Sequence, residues 1–419
     1  MVVRDGATTV IATRPAEVVV ADGDRAFAAL DRIETGGWWA GFCGYDLGRA
    51  VEPIEDRTDD DRGIPDLAMA RFDARLRLYP DGTSEIVGNG DGRVELERAR
   101  WRASGRRTTV AQRLRADRWT SSLTFDRYRA AERAIHGHLD AGDCYQVNLT
   151  RRLTHDRAVD PVELFVALDH HNPAPHACLL RFGTRGPALA VVGASPELFL
   201  RIDHDDLTTR PIKGTHRDAE PLRTSAKDRA EHVMIVDLAR NDLGRVCIAG
   251  TVAVTELMAL ESHPGLHHLV STVTGRRRAG VTLGAVMRAM FPAASITGAP
   301  KPSVMQIIED LEPVRRGVYC GATGWVDHDT SRAEFAVAIR TFTVTARHTD
   351  LGVGGGIVAD SSAESEWDET ELKARRLLET ARGSASGDRD ERNPSTGSSA
   401  HDSASTSGRQ HRAGRAGPT

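Results

Sequence analysis

Apolar residues change period within one short stretch of this chain. From Phe125 to Asp140, Tyr128, Ala131, Ile135 and Leu139 recur at helical spacing, with Thr124 placed to cap the start and Gly142 just past the end. Immediately afterwards Tyr145, Val147 and Leu149 alternate with Gln146, Asn148 and Thr150, the period of a strand with one apolar and one polar face. Helix and strand periods follow one another here and elsewhere without the regular βαβ rhythm of a doubly wound sheet, so the expected class is α+β. Gln146 and Asn148 point the same way on their strand, and by pattern alone they are expected to face solvent.

The rest of the chain divides by composition. Residues 1–95 read as β-rich, with one short helix, a hairpin around Pro80-Asp81-Gly82 and an aromatic cluster of Trp38, Trp39, Phe42 and Tyr45 expected in the core. Residues 96–121 form an arginine-rich connector, 122–381 carry the periodic segments of a structured core, and 382–419 have the serine, glycine and charge content of a disordered tail. Within the core, Leu189 to Val192 and Leu198 to Ile202 read as two paired strands. Glu197 stands between Pro196 and the apolar run Leu198-Phe199-Leu200, where a neutral residue is expected. Such a carboxylate is suited to a raised pKa and to acting as an acid.

A formal charge of −4 over 419 residues provides no basic field for nucleic acid. No run reaches the roughly 18 apolar residues of a membrane span, and the N-terminus lacks an apolar leader core, so a cytoplasmic, membrane-free protein is the expectation. Five scattered cysteines, none in a Cys-x-x-Cys pair, read as small core residues.

Lysine is avoided: only 213, 227, 301 and 373 hold one among 55 basic residues. A lysine kept against that bias is a candidate for work that a guanidinium cannot do, because only the amine loses its proton readily. On the helix expected from Ser225 to Leu243, Asp228 and Glu231 share a face with Ile235 and Leu238. On a second, from about Ser365 to Thr380, Glu366, Glu369 and Lys373 align. Two acidic pairs on two helices, with oxygen donors alone, point to a shared hard cation such as Mg²⁺. Glycine-punctuated loops at 296–300 and 352–356 offer backbone N–H groups to an anion, and Arg340 ends an apolar strand where a carboxylate fork is natural.

The motifs GDCYQVNLT (142–150), SPELF (195–199), PIKGT (211–215), AEHVMIVDLARNDLGRV (230–246), HHLVSTVTG (267–275), FPAASITGAPK (291–301), AIRT (338–341), GGGIVADS (354–361) and SEWDETELKA (365–374) stand in this order. Together they resemble the chorismate-utilising enzymes, the family of anthranilate synthase component I, aminodeoxychorismate synthase component I and the isochorismate and salicylate synthases. The segment GGWWAGFCGYDLGR (36–49) extends the resemblance more weakly into the N-terminal part.

The resemblance implies a single large domain, an anthranilate synthase component I-like sandwich of antiparallel β-sheets flanked by helices. It implies Glu231 and Glu369 as Mg²⁺ ligands, supported by Glu366 and by Asp228, which stands where many relatives carry glutamate. Arg340, Tyr319 and the backbone of Gly354, Gly355 and Gly356 would hold the enolpyruvyl carboxylate of chorismate, Gly214 and Thr215 would line the ring, and Lys373 would sit beside the metal. His268 resembles the family's active-site histidine, and Glu197 the acid that protonates the departing C4 hydroxyl. Gln146 stands where water-activating relatives have a lysine, and Lys213 where anthranilate synthases have a small residue. That pair resembles the aminodeoxychorismate synthase branch, on the path to p-aminobenzoate and folate, with Lys213 as nucleophile. No segment resembles a glutaminase, so a separate glutamine amidotransferase subunit supplying ammonia is the implied partner. Anthranilate synthase component I and a non-catalytic chorismate-binding paralogue are the alternatives.

Overall fold

The structure, a computed structural model, describes residues 1–103, 118–183, 188–216, 218–263 and 266–381. The tail expected to be disordered and the middle of the connector lie outside the described residues, as do the side chains of Thr215 and Asp228.

Strands β1 (Val2–Asp5), β2 (Thr8–Ile11) and β3 (Glu17–Ala21) lead into helix α1 (Asp24–Ile33), then β4 (Trp38–Cys43), β5 (Leu67–Phe72), β6 (Ala74–Leu78), β7 (Ser84–Gly88) and α2 (Asp91–Ala103). Next come β8 (Trp119–Ser121), α3 (Phe125–Ala141), β9 (Gln146–His155), α4 (Pro161–His171), β10 (His176–Phe182), β11 (Leu189–Ser195), β12 (Leu198–Asp203), β13 (Asp206–Arg210) and β14 (Ile212–His216). The remainder holds α5 (Ala219–Thr224), α6 (Ala226–Gly244), β15 (Ala253–His263), β16 (Leu266–Arg276), α7 (Leu283–Met290), β17 (Gly298–Ala299), α8 (Lys301–Leu311), β18 (Ala322–Asp327), β19 (Arg332–Val337), β20 (Thr341–Val344), β21 (Thr349–Ile357) and α9 (Ala363–Ala381).

These strands form two antiparallel sheets. The first runs β17-β9-β21-β20-β11-β10-β1-β2-β6-β7, with β8 also on β9; the second runs β14-β16-β13-β12-β19-β18-β4-β5-β3, with β15 also on β16. The N-terminal strands extend both sheets, so residues 1–95 are built into the same body as the core. Their apolar faces meet between the sheets, where Val3, Val10, Trp38 and Phe42 join Cys178, Leu180, Val318 and Trp325. Phe42 is fully buried and meets Phe182 edge to face at 5.7 Å; burying such a ring is worth about 2–3 kcal/mol. Outside the second sheet α1, α6 and α7 pack through Leu30, Val236 and Met287, and outside the first α4 and α9 pack through Leu164 and Leu377. Helices therefore flank a sheet-on-sheet sandwich.

Local signals account for several boundaries. Thr124 accepts from Arg127 N–H at the start of α3, and Gly142, with φ 78°, closes it. Asp160 accepts from Val162 and Glu163 N–H with Pro161 in the first turn of α4, a cap worth about 1 kcal/mol. Asp81 accepts from the Thr83 N–H and hydroxyl, making the hairpin turn between β6 and β7.

Three expectations are corrected. Gln146 and Asn148 are buried, at 0% and 7% exposure, whereas Tyr145 is 67% exposed. The reason is that β9 is covered on both faces: α3 and α8 pack on Val147 and Leu149, and Asn148 Nδ2 donates to Ile296 O at 3.0 Å on the other. Strands β11 and β12 do not pair with each other. Each has its partners in a different sheet, and the chain crosses from one sheet to the other at Pro196-Glu197. Finally, Gly352 to Gly356 are a strand within the first sheet, paired with β9 along their length, where a loop was expected. Lack of side chains lets neighbouring groups approach this strand closely.

Candidate functional site

Strand β14 carries Lys213. Opposite β16 its register slips between Lys213 and Thr215, with Gly214 at φ 76° as the extra residue of a bulge. Glycine adopts that backbone without strain. The bulge re-aims Lys213, whose Nζ lies 3.5 Å from Gln146 Oε1 and 3.8 Å from Glu231 Oε2. A Cβ added at Gly356 would stand 3.0 Å from Gln146 Nε2 and 3.4 Å from Lys213 Nζ, so the bare glycine leaves room for both side chains. Gln146 Nε2 is buried without a hydrogen-bond partner and is available to an acceptor on a bound molecule. Burial lowers the Lys213 amine pKa and nearby Lys373 adds to that, while the carboxylates of Glu231, Glu197 and Glu369 oppose it. The neutral amine, a nucleophile, is thereby more accessible than at a surface lysine.

Glu197 sits at the crossover between the sheets, 5% exposed. Burial pushes its carboxyl up to about 7, with Ser295, Lys213 and the Ile212 backbone pulling the other way. Its own carbonyl accepts from Val337 N–H at 3.0 Å, and its N–H donates to Ser195 Oγ at 3.3 Å. An acid of this kind holds its proton near neutrality and can give it to a leaving group.

On the far side of Lys213, α6 brings Glu231 and α9 brings Glu369. Glu369 Oε1 pairs with Lys373 Nζ at 2.6 Å, and the same Nζ donates to Gly354 O at 2.9 Å, which ties α9 to β21. Glu366, 7% exposed, accepts from Ser361 Oγ at 2.7 Å and faces Gly355, whose added Cβ would lie 3.0 Å from Glu366 Oε2. The donor chemistry suits a hard divalent cation: oxygen only, from two helices, both acting on Lys213. Among the described residues no three histidine, cysteine or acidic side chains converge as a metal cluster. Lys213 Nζ stands 3.8 Å from Glu231 and Lys373 Nζ pairs with Glu369 at 2.6 Å.

Arg340 follows β19 with φ 50°, and its backbone carbonyl accepts from Ala194 N–H. No carboxylate among the described residues pairs with its guanidinium, whose pKa is lowered by burial and by the nearby Arg376 cation. A partly buried cation beside another cation is prepared for an anion. Tyr319 lies flat against β21, so that a Cβ at Gly352 would fall 2.1 Å from its ring. His268, 2% exposed on β16, pairs in register with Thr215. Lys213, Gln146, Glu231 and Gly356 are thus in direct proximity; Glu197, Glu369 and Lys373 act on the same amine; Tyr319 contacts the strand at Gly352.

Sequence reasoning passed over three groups. Ser361 orients Glu366. The buried ion pair of Glu312 and Arg316 braces β9 through Thr150 N–H and Asn148 O. His232, next to Glu231 and 0% exposed, has its pKa drawn down to about 4, chiefly by burial. Its helical position, out of phase with Glu231 yet facing the sheet, was the available signal.

Residues 5–379 match the family described as chorismate binding enzyme. The chain is 38% identical over 348 residues to aminodeoxychorismate synthase component 1 of Salmonella typhimurium, covering 81% of this chain and 75% of the relative. It is 36% identical over 368 residues to an anthranilate synthase component 1 of Haloarcula marismortui, covering 81% and 74%. Among solved structures, anthranilate synthase component I from Streptococcus pneumoniae superposes with a TM-score of 0.79 at 25% identity, over 88% of this chain and 92% of that one. The menaquinone-specific isochorismate synthase of Escherichia coli shares the fold, with a TM-score of 0.70 at 17% identity, over 90% and 88%.

Proposed function

This chain belongs to the chorismate binding enzyme family, and from that premise we propose that it acts as the synthase component of aminodeoxychorismate synthase, converting chorismate and ammonia to 4-amino-4-deoxychorismate. The observation that carries the reading is the Lys213 amine, poised beside Gln146 in the space that Gly356 leaves open. An amine of lowered pKa serves as a nucleophile, and a neutral amide in the place of a basic lysine argues against water as the activated nucleophile.

In this reading the neutral amine of Lys213 forms a bond to C2 of chorismate while both ring double bonds shift toward C4 and the C4 hydroxyl leaves. Glu197 gives its proton to that hydroxyl, which departs as water. Ammonia then adds at C4 and the C2–nitrogen bond breaks, returning the lysine. Arg340 holds the enolpyruvyl carboxylate with Tyr319 and the backbone of Gly354 to Gly356, Gln146 Nε2 donates to the substrate, and Gly214 and Thr215 line the ring beside His268. Mg²⁺, held by Glu231 and Glu369 with Glu366 and Asp228 behind them, would supply charge neutralisation for the ring carboxylate. Ammonia comes from a glutamine amidotransferase subunit, in keeping with relatives named as component 1.

Incubation of the full chain with chorismate, Mg²⁺ and ammonium, with product identified by mass, tests this. The expected product retains the enolpyruvyl group and its formation stops when Mg²⁺ is chelated. Fluorescent anthranilate, formed without an added lyase, would replace this assignment with anthranilate synthase, whose named relatives are nearly as similar.

A further inference from the structure

We propose that His232 is a positioning residue for Lys213, gripping the strand that carries the amine while its neighbour Glu231 faces the amine itself. The inference rests on the proposed role of Lys213 as nucleophile.

Successive residues of a helix are turned by about 100°. On α6 that places Glu231 toward Lys213 Nζ, at 3.8 Å, and sends the His232 ring, 0% exposed, between the helix and strands β14 and β16. There His232 Nε2 lies 2.6 Å from Ser271 Oγ, itself fully buried. Ser271 is fastened on two further sides: its Oγ accepts from Met258 N–H at 2.9 Å, and its N–H donates to Pro211 O at 3.2 Å. A hydroxyl that accepts from Met258 N–H still has its own proton to give, and Nε2 is the ring nitrogen that faces it.

Through Ser271 the ring holds Pro211 O, two residues before Lys213 in the chain. Lys213 itself lies at the bulge, where the β14–β16 ladder slips and Gly214 takes φ 76°. Bulged residues lose regular ladder partners, so their orientation depends on what else holds them. The ring, anchored through Ser271 to Pro211 and Met258, fills that part. It fixes where the Lys213 side chain leaves the backbone, and so where its nitrogen meets substrate.

Steady-state kinetics of His232→Leu, His232→Asn and His232→Gln test the proposal, with Lys213→Ala as control and thermal unfolding of each. Asparagine puts its amide near the Nδ1 position, whereas glutamine reaches that of Nε2. Expected is a fall in kcat on the order of a hundredfold for His232→Leu, as for a reacting group displaced by about 1 Å. KM for chorismate should stay within about twofold, with kcat largely restored in His232→Gln, which can still accept from Ser271 Oγ, and less so in His232→Asn. If His232→Leu fails to fold, the two amides decide: glutamine above asparagine supports the proposal, and asparagine equal or better overturns it. Parent kcat in all three variants, or a KM that rises in step with lost stability, also overturns it. The control separates the two levels. A Lys213→Ala enzyme that works at the parent rate removes the nucleophile reading and this inference with it; an inactive Lys213→Ala beside a fully active His232→Leu removes only this inference.

Discussion

At the scale of single residues, two groups are shifted toward one another by burial. The Lys213 amine is easier to deprotonate, and Glu197, at about 7, is harder to ionise. Because the folded pKa of Glu197 lies above the ordinary 4.5, its contribution to stability is fully present below pH 4.5 and lost as pH rises through about 7. The stability of Glu197→Gln relative to the parent should therefore increase by on the order of 3 kcal/mol between pH 4 and pH 8. Urea unfolding at the two pH values measures this, and a pH-independent difference would show an ordinary carboxylate. The alkaline limb of the pH–rate profile follows from the same shift: kcat of the parent should decline above about pH 7 as Glu197 ionises. Lys213→Ala should lose at least about a hundredfold in product formation, read by the mass assay, and parent-rate turnover would rule out a covalent role. Sequence made both residues visible, one by its rarity and one by its place in an apolar run. Neither signal conveyed that their environments are linked across two sheets.

At the scale of elements, β21 shows how a strand can imitate a loop. Gly352, Gly354, Gly355 and Gly356 read as loop because glycine is poor in strands, yet each faces a group that needs the space: Tyr319, Thr150, Glu366 and the pair Gln146 with Lys213. Those partners come from four other parts of the chain, so periodicity within the segment carried no trace of them. Gly352→Ala would set a methyl group 2.1 Å from the Tyr319 ring. The ring must move, and a destabilisation of about 3 kcal/mol is expected together with a raised KM for chorismate. Thermal unfolding and initial rates check the pair of effects; an unchanged melting temperature would mean that Tyr319 does not rest on this strand. The helices were more legible. For α3, cap, apolar spacing and terminal glycine all agree within one segment, which is where local chemistry decides structure.

At the scale of the molecule, the two halves of the chain are joined by buried charge as well as by apolar packing. Arg316, 8% exposed, bonds Glu312 through two nitrogens, donates to Ile296 O and Asn148 O, and stacks on Tyr45 with its guanidinium 4.4 Å from the ring centre. Glu312 in turn accepts from Thr150 N–H at 2.8 Å. Arg316→Met leaves that carboxylate buried and unpaired, and a loss of about 3–5 kcal/mol in urea unfolding is expected. A loss under about 1 kcal/mol would mean that water replaces the guanidinium there.

By itself the sequence determined the α+β class, helix α3 with its cap and terminal glycine, the tight hairpin and the ordered motifs that carry the family. These depend on neighbours within a few residues, or on residue identity alone. Only the tertiary structure decided that Gln146 is buried beside Lys213, that β11 and β12 belong to different sheets, and that residues 1–95 complete both of them. Pairing of strands and desolvation of side chains are set by segments far apart in the chain, whose meeting no local period records. The Lys213 amine has its buried surroundings only because α6, α9, β9 and β21 converge on the bulge that bears it.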